Sequence, residues 1–152
     1  MDFNVLVKMQ RYCTYQERTE EEVYKKLASF GVNQEDNQAI FEQLRSERYF
    51  DDERFTEIYV RSKLWQKWSK NKIRAELKKK KIPETLIQKH LASIDVEENR
   101  ENLIKIATAW IDSNKKENDI PIRLYRYLYS KGFEVEDILD ILETLKTLNY
   151  NR

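Results

Sequence analysis

The sequence has few of the residues from which tight turns and hairpins are built. It contains only two glycines, Gly31 and Gly132, and two prolines, Pro83 and Pro121, in 152 residues. A protein made of short strands needs many such residues, because its turns require left-handed or fixed backbone angles. The scarcity excludes a hairpin-rich β fold and predicts an all-helical protein.

Cysteine, histidine and long apolar runs are also scarce. Cys13 is the only cysteine, so no intramolecular disulfide is possible, and a lone thiol fits a reducing compartment. A nucleophilic role would need a nearby base, and the only histidine, His90, is far along the chain; Cys13 is therefore interpreted as a small buried residue. Because no stretch approaches the roughly 20 apolar residues that span a bilayer and no signal peptide is apparent, we expect a cytoplasmic protein without membrane contact.

The patterns that support catalysis are missing as well. The sequence shows no glycine-rich phosphate loop, no Cys/His metal set and no nucleophile with an identifiable base. The three consecutive acids at 51–53 would diverge around a helix instead of converging on an ion. We therefore predict a protein that is not an enzyme and that uses no metal and no cofactor.

Charge is present in quantity and is distributed unevenly. The formal net charge is +1, yet residues 15–53 carry eleven acids against five bases, a net of −6. Residues 54–91 carry twelve bases against three acids, a net of +9. A local basic field of this kind attracts polyanions even when the whole protein is neutral.

Three blocks of sequence align without gaps at a period of about fifty residues. They read RTEEEVYKKLASFGV at 18–32, WSKNKIRAELKKKKI at 68–82 and DIPIRLYRYLYSKGF at 119–133. The apolar residues that coincide are Val23, Ile73 and Leu124, then Leu27, Leu77 and Leu128, then Val32, Ile82 and Phe133.

A helical pattern lies on either side of each block. The upstream segments are 3–16, 53–67 and 98–115, with stripes formed by Phe55, Ile58, Tyr59, Ser62 and Trp65 and by Leu103, Ile106, Ala107 and Trp110. The downstream segments are 34–47, 84–94 and 135–148, with Leu44, Leu91 and Leu142 in comparable places. We predict three tandem three-helix, helix-turn-helix-like repeats, at 1–48, 49–96 and 97–152, stacked into an elongated, curved molecule.

Residues at the helix ends agree with this division. Thr19 and Asp51 offer side-chain oxygens as N-caps. Gly31 and Gly132 stand where the second helix of their repeats must end in a left-handed residue. Lys81 occupies the matching position in the middle repeat, so that turn must form without glycine.

The middle repeat carries a basic stripe. Lys70, Arg74, Lys78 and Lys81 recur at spacings of four, four and three, which places them on one helical face, and only Glu76 is available within the helix to pair with them. A solvated face is the plain interpretation, but so little compensation favours binding to phosphate or to an acidic protein surface. The residues predicted for this role are Lys67, Lys70, Lys72, Arg74, Lys78 and Lys81.

The segment YFDDERFTEIYVRSKL at 49–64, continuing through WQKWSKNKIRAELKKKKIP, resembles the central signature of the RecX family of recombination regulators. In that family an aromatic-Asp-Asp-x-Arg-Phe motif precedes a basic helix and a Lys/Arg-x-Ile-x-x-Glu-Leu helix. ERTEEEVYKKLASFGV and LYRYLYSKGFEVEDILDIL resemble the first and third repeats, so the resemblance extends from about Met9 to Leu145. The chain departs from the family in having Trp65 and Trp68 where glycine or arginine is frequent, and in a short N-terminus.

The resemblance implies a monomeric regulator that binds the RecA filament on DNA and modulates RecA, usually as an inhibitor, in recombination, DNA repair and the SOS response. The acids and aromatics at 49–55 also suit capping and packing, which is the interpretation for Phe50, Asp52 and Phe55. The residues predicted to contact the partner are Tyr49, Asp51, Arg54, Tyr59, Arg61 and Lys63.

A helix-turn-helix reader of duplex DNA is the rival interpretation. Asn71, Arg74 and Gln88 have side chains that can read base edges, but no repeat has a clear recognition helix, and the acidic third repeat would be repelled by phosphate. The alternative that stays open is a helical module that binds nucleic acid without sequence preference and without RecA.

Overall fold

A computed structural model of the protein describes residues 1–147, and every regular element in this range is an α-helix. The helices are α1 (Phe3–Tyr15), α2 (Glu20–Ala28), α3 (Gln34–Ser46), α4 (Asp52–Trp65), α5 (Lys70–Lys79), α6 (Glu84–Ala92), α7 (Val96–Ser113), α8 (Ile120–Ser130) and α9 (Val135–Thr147). They coincide with the nine predicted segments to within a few residues at each end; Leu148, the last residue of the predicted segment 135–148, lies outside the described range. The all-helical fold with three three-helix repeats is confirmed.

The second helix of each repeat supplies the most deeply buried side chains. Val23, Ile73 and Leu124 are fully buried, and so are Leu27, Leu77 and Leu128, which occupy the next aligned position. Burying a side chain of this size stabilises a fold by about 1.5 to 3 kcal/mol relative to leaving it exposed. The repeat alignment therefore identifies core positions correctly.

The predicted helix caps are present. The Thr19 hydroxyl accepts a hydrogen bond from the Glu22 amide at 3.1 Å, and the Asp51 carboxylate accepts one from the Arg54 amide at 3.1 Å. Gly132 ends α8 with φ at +91°, and a Cβ added there would lie 2.7 Å from the Ser69 hydroxyl, so only glycine fits without a shift.

The C-terminal ends of three helices, α3, α4 and α5, are followed by a left-handed residue that is not glycine. Lys81 has φ at +63°, as the repeat alignment predicts, and Arg48 and Lys67 have φ at +58° and +63°. At Lys67 the turn closes by two hydrogen bonds, from its amide to the Leu64 carbonyl and from the Trp68 amide to the Lys63 carbonyl, both 2.9 Å. This is the Schellman arrangement, in which glycine is the usual residue, because a Cβ in this conformation costs about 1 to 2 kcal/mol.

The apolar stripe predicted for α4 is wrong in part. Ile58 and Trp65 are 44% and 85% exposed, whereas Phe55, Val60 and Leu64 are buried. Apolar residues lie on more than one side of this helix, so two different rows satisfy the helical period, and periodicity alone does not choose between them.

One position in the last helix also differs from the prediction. Leu142 is half-buried, and Leu145 instead is buried. In the gap-free alignment of the repeats Leu145 corresponds to Leu44, so the register of the blocks continues through the third helix.

The chain forms two compact units. The first consists of residues 1–59 and 76–90, and the second of residues 60–75 with the chain from 91 onward. Met9, Leu27, Ile40 and Leu44 are among the core residues of the first unit. The core of the second is built from α7, α8 and α9, with Leu103, Ala107, Leu124, Leu128, Ile138 and Ile141 among its members. The three-part division at 1–48, 49–96 and 97–152, and the curved stacking of the repeats, stay predictions.

Within residues 1–147 no helix combines the length and the apolar character that crossing a bilayer demands.

Candidate functional site

Asp51, the first acid of the segment 49–64, caps its own helix. Asp51 caps the N-terminus of α4 and also accepts a hydrogen bond from the Arg48 guanidinium at 2.8 Å. Partial burial acts to raise the pKa of Asp51, but the hydrogen bonds from Arg48 and from the amides of Arg54 and Glu53 outweigh it, so the pKa lies below its usual value. Asp51 is thus ionised and committed to this turn at neutral pH.

The second acid caps a different helix. A carboxylate oxygen of Asp52 accepts a hydrogen bond from the Glu20 amide at 2.9 Å, at the N-terminus of α2. Burial raises the pKa of Asp52, and this amide hydrogen bond opposes the rise. The structural role predicted for Asp52 is correct, but the helix that it caps is far away in sequence.

The third acid binds the end of α6. Glu53 Oε1 lies 2.7 Å from Lys89 Nζ and 3.0 Å from His90 Nε2. The hydrogen bond from Lys89, followed by that from His90, holds the pKa of Glu53 below its usual value. His90 therefore lies in the last turn of α6, and its partner is a carboxylate.

Arg54 completes this set. Its Nε lies 2.9 and 3.0 Å from the two carboxylate oxygens of Glu17, and Nη1 donates to the Arg48 carbonyl at 3.1 Å. We call Asp51, Asp52, Glu53 and Arg54 the signature joint. All four side chains bind other parts of the first unit, and none of these tertiary partners is evident from the sequence, because Glu17, Glu20, Lys89 and His90 lie more than thirty residues away.

The aromatic residues around the joint are packed. Phe50 is 4% exposed, with its ring centroid 5.1 Å from that of Phe41, and Phe55 is buried and stacks on Tyr59 at 5.7 Å. Tyr49 is half-buried against the same core as Phe50. The structural roles predicted for Phe50 and Phe55 are confirmed, whereas the partner contacts predicted for Tyr49 and Tyr59 stay predictions.

The remaining predicted partner residues lie in the second unit. Arg61 is exposed, and Lys63 is half-buried beside Trp68. The Lys63 ammonium lies 4.5 Å from the centroid of the Trp68 ring, and that of Lys72 lies 4.0 Å from it. Both ammonium groups therefore lie within cation–π distance of the Trp68 ring, whose face attracts cations.

The predicted basic set is divided between the units. Lys67, Lys70, Lys72 and Arg74 belong to the second unit, and Lys78 and Lys81 to the first. Lys78 lies 3.7 Å from Glu84 on the following helix, a compensating acid that a search within α5 misses. Lys67, Lys72, Lys78 and Lys81 are exposed, as binding to an anionic partner requires.

The start of α5 is occupied by contacts inside the second unit. The Asn71 amide donates to the Gly132 carbonyl at 2.9 Å and to Glu134 at 2.7 Å, and the Ser69 hydroxyl donates to the Lys131 carbonyl at 2.9 Å. A recognition helix uses these positions to reach base edges. Asn71 is instead part of the protein's own packing, which argues against the reader of duplex DNA.

Comparison with known proteins places this geometry in a family. Residues 51–91, which contain the joint and α5, match the family model described as RecX, second three-helix domain. The Regulatory protein RecX of Clostridium tetani is 32% identical over 132 residues, which cover 84% of this chain and 61% of that protein. The chain belongs to the RecX family.

Other RecX proteins agree in sequence and in fold. The Regulatory protein RecX of Clostridium botulinum strain Eklund 17B is 31% identical over 130 residues, 83% of this chain and 61% of that protein. The crystal structure of RecX from Lactobacillus salivarius shares the fold, with a TM-score of 0.84 at 22% identity over 95% of this chain and 96% of that one. A second crystal structure, of regulatory protein RecX, matches with a TM-score of 0.81 at 25% identity. The match covers 92% of this chain and 70% of that one. The chain spans about three-fifths of the length of the curated RecX relatives it matches.

Two further observations concern the chemical reactivity of this chain. Cys13 is buried, as predicted, and burial raises the pKa of its thiol to about 11, so that it is a poor nucleophile. Within residues 1–147, no group of three or more histidine, cysteine, aspartate or glutamate side chains is arranged to hold a metal ion.

Proposed function

We propose that this RecX-family protein binds the filament that RecA forms on DNA and inhibits the recombinase and its ATPase. It would act in recombination, DNA repair and the SOS response as a cytoplasmic, monomeric, non-enzymatic regulator. Family membership carries the proposal, because the matched segment 51–91 is also the part of the chain with the strong basic excess.

The internal bonds of the signature joint refine the partner contact. Asp51 and Arg54 are committed to Arg48 and Glu17, so we give them, with Tyr49, the task of fixing the start of α4. The direct contact is then assigned to the exposed Arg61, and the partner contacts predicted for Tyr59 and Lys63 are kept in the proposal. Trp65, at 85% exposure, joins this group, since large exposed aromatic residues are typical anchors of protein interfaces.

The basic set is assigned to the phosphates of the DNA inside the filament. Exposed lysines contribute a salt-dependent, sequence-independent attraction to nucleic acid. The competing function, a nucleic-acid-binding module without RecA partnership, depends on the same lysines. The two functions differ in whether contacts with RecA add to the electrostatic attraction between the lysines and the nucleic acid.

The deciding experiment compares binding to bare single strands with binding to the same strands coated by the cognate RecA, together with the DNA-stimulated ATPase of RecA. The double substitution of Arg74→Glu and Lys78→Glu is expected to weaken both kinds of binding. Arg61→Ala is expected to weaken only binding to the coated strand, and Arg11→Ala, an exposed arginine outside the matched segment, is the matched control.

Substoichiometric protein is expected to depress ATP hydrolysis, because one molecule that bridges protomers affects many of them. Equal affinity for bare and coated strands, together with unchanged hydrolysis, would replace the regulator by the nucleic-acid module.

A further inference from the structure

The second unit contains an open groove, and of the residues that line it only Lys67 belongs to the predicted binding sets. It is lined by side chains of α7, by Tyr127 of α8 and by Lys67 of the turn before α5, and its volume is about 540 Å³. Grooves that hold small ligands commonly measure roughly 300 to 1,000 Å³. We call it the aromatic–lysine groove; it is lined by Lys67, Lys105, Ile106, Ala109, Trp110, Ser113 and Tyr127.

The wall of the groove is aromatic. The rings of Trp110 and Tyr127 have centroids 5.9 Å apart and are tilted by 30°, and both side chains are half-buried, so part of each ring faces the groove. Ala109 and Ser113 follow each other at a spacing of four on α7, and their small side chains leave the space in front of the rings open. A flat π system can therefore lie against this wall.

The edges of the groove are cationic. Lys67 and Lys105 are exposed, and within residues 1–147 neither has a carboxylate oxygen within 4.0 Å. Lys131, one helical turn beyond Tyr127, places its ammonium 5.5 Å from the Tyr127 ring and lines an adjoining cavity of about 240 Å³. Lys72 lines that cavity too, so positive charge continues past one end of the groove.

Lys67 has an additional distinction. It lines both cavities and stands at a left-handed position where glycine would be less strained. Residues held in such strained backbone conformations concentrate at functional sites. Within the described residues 1–147, no carboxylate lies within 4.0 Å of this lysine to explain its presence.

We propose that the aromatic–lysine groove binds an unstacked base of a single-stranded nucleic acid, with Trp110 and Tyr127 stacking on the base and Lys67, Lys105 and Lys131 binding the flanking phosphates. Aromatic walls bordered by lysines are how proteins hold single strands without reading sequence, because every base has a π face and every linkage a negative charge. A duplex is a poor ligand, since its bases are already stacked. This inference rests on the proposed function only in placing nucleic acid on the second unit, and it requires no RecA.

The test uses the full chain without RecA and three short probes of equal length: oligothymidylate, oligouridylate and a strand of abasic sites. Trp110→Ala is expected to weaken binding to the two base-carrying strands by roughly 5- to 150-fold, the loss of one stacked base, and to leave the abasic strand unchanged. Trp110→Phe is expected to restore most of the affinity. Tyr15→Ala, which removes an exposed aromatic side chain outside the groove, is the matched control.

A second variant protects the test against a folding defect in Trp110→Ala. Lys67→Gly suits the left-handed backbone, so it keeps the turn and removes only the charged side chain. It is expected to weaken binding to all three strands and to reduce the salt dependence of that binding. In a chain retaining Trp110 as its sole tryptophan, through Trp65→Phe and Trp68→Phe, the base-carrying strands are expected to quench its fluorescence and the abasic strand is not. The proposal would be overturned if Trp110→Ala lowered the affinity for all three probes equally or for none of them. It would also be overturned if an acidic peptide competed for the site as well as the strands do. Oligouridylate bound more tightly than oligothymidylate would identify RNA as the natural source and still support the groove.

The outcome is separable from that of the proposed function. If the groove does not bind bases, the Arg61→Ala comparison on RecA-coated strands still tests the proposed function. If RecA binding fails, the base-dependent affinity of the groove is unaffected.

Discussion

The signature joint of the first unit and the aromatic–lysine groove of the second handle charge in opposite ways. Each side chain of the joint has a partner inside the protein: Asp51 with Arg48, Asp52 with the Glu20 amide, Glu53 with Lys89 and His90, and Arg54 with Glu17. In the groove, Lys67 and Lys105 have no carboxylate partner within residues 1–147. The four charged residues at 51–54 are therefore built into the scaffold, and lysines without a carboxylate partner in the described residues border the groove.

This difference has a physical basis. Four charged residues in succession cannot all face a partner, because consecutive helical residues point in directions about 100° apart. Distributing them among the segment between α1 and α2, the start of α2, α6 and the preceding turn satisfies each one. Lysines that border an aromatic wall are held apart from acids, so they keep their affinity for phosphate.

The largest expected effect sets the scale for both units. Leu77→Ala in the first unit and Leu128→Ala in the second should each lower the free energy of unfolding by about 2 to 5 kcal/mol, because both side chains are fully buried. Urea denaturation followed by circular dichroism measures the loss. Leu→Met at each site, which keeps the volume, should cost less than about 1.5 kcal/mol. A negligible loss at either leucine would show that its repeat position is not a core position.

The comparison itself is tested by removing one cation from each region. Arg54→Ala should lower the free energy of unfolding by about 1 to 2 kcal/mol, because it leaves Glu17 without its partner in a pair that is about one-third exposed. Lys105→Ala should change stability by no more than about 0.5 kcal/mol, as is usual at the surface. The same urea denaturation applies to both variants. Equal losses from the two substitutions would erase the distinction between scaffold and ligand-facing charge.

The smallest effect is expected from glycine substitutions at Lys67 and Arg48, two left-handed positions with similar backbone angles. Lys67→Gly should raise the free energy of unfolding by about 0.5 to 1 kcal/mol, because relief of the Cβ strain exceeds the added chain entropy. Arg48→Gly gains the same relief but loses the bond to Asp51, so its net change should be near zero. Thermal melting resolves the two. Destabilisation by Lys67→Gly would mean that its side chain has a structural role.

Sequence patterns predict a great deal of this fold. The nine helices of residues 1–147 follow from periodicity, from the scarcity of glycine and from the alignment of the repeats. The caps at Thr19 and Asp51 and the left-handed lysine at position 81 follow from the same patterns. These features are local, so residues a few positions apart determine them. The buried face of α4 is not determined in this way, because Trp65 and Leu64 are both apolar and adjacent, and only the tertiary structure decides which one is covered.

The candidate sites are predicted less completely for the same reason. Lysines at positions 67 and 72 are visible as a charge cluster, but the groove depends on α7 lying beside α8, which brings Trp110 to Tyr127. A signal was present in Lys105, Ala109 and Ser113, which follow one another at a spacing of four. Without the partner helix, that row is indistinguishable from an ordinary solvated face.

The burial of Cys13 makes this protein convenient for site-specific labelling. With a pKa of about 11, only about one thiol in ten thousand is ionised at pH 7, and the side chain is covered as well. A cysteine introduced at an exposed position such as Ser113 would then be the single reactive thiol, without removal of the native one. A dye attached there would report directly on whatever enters the groove.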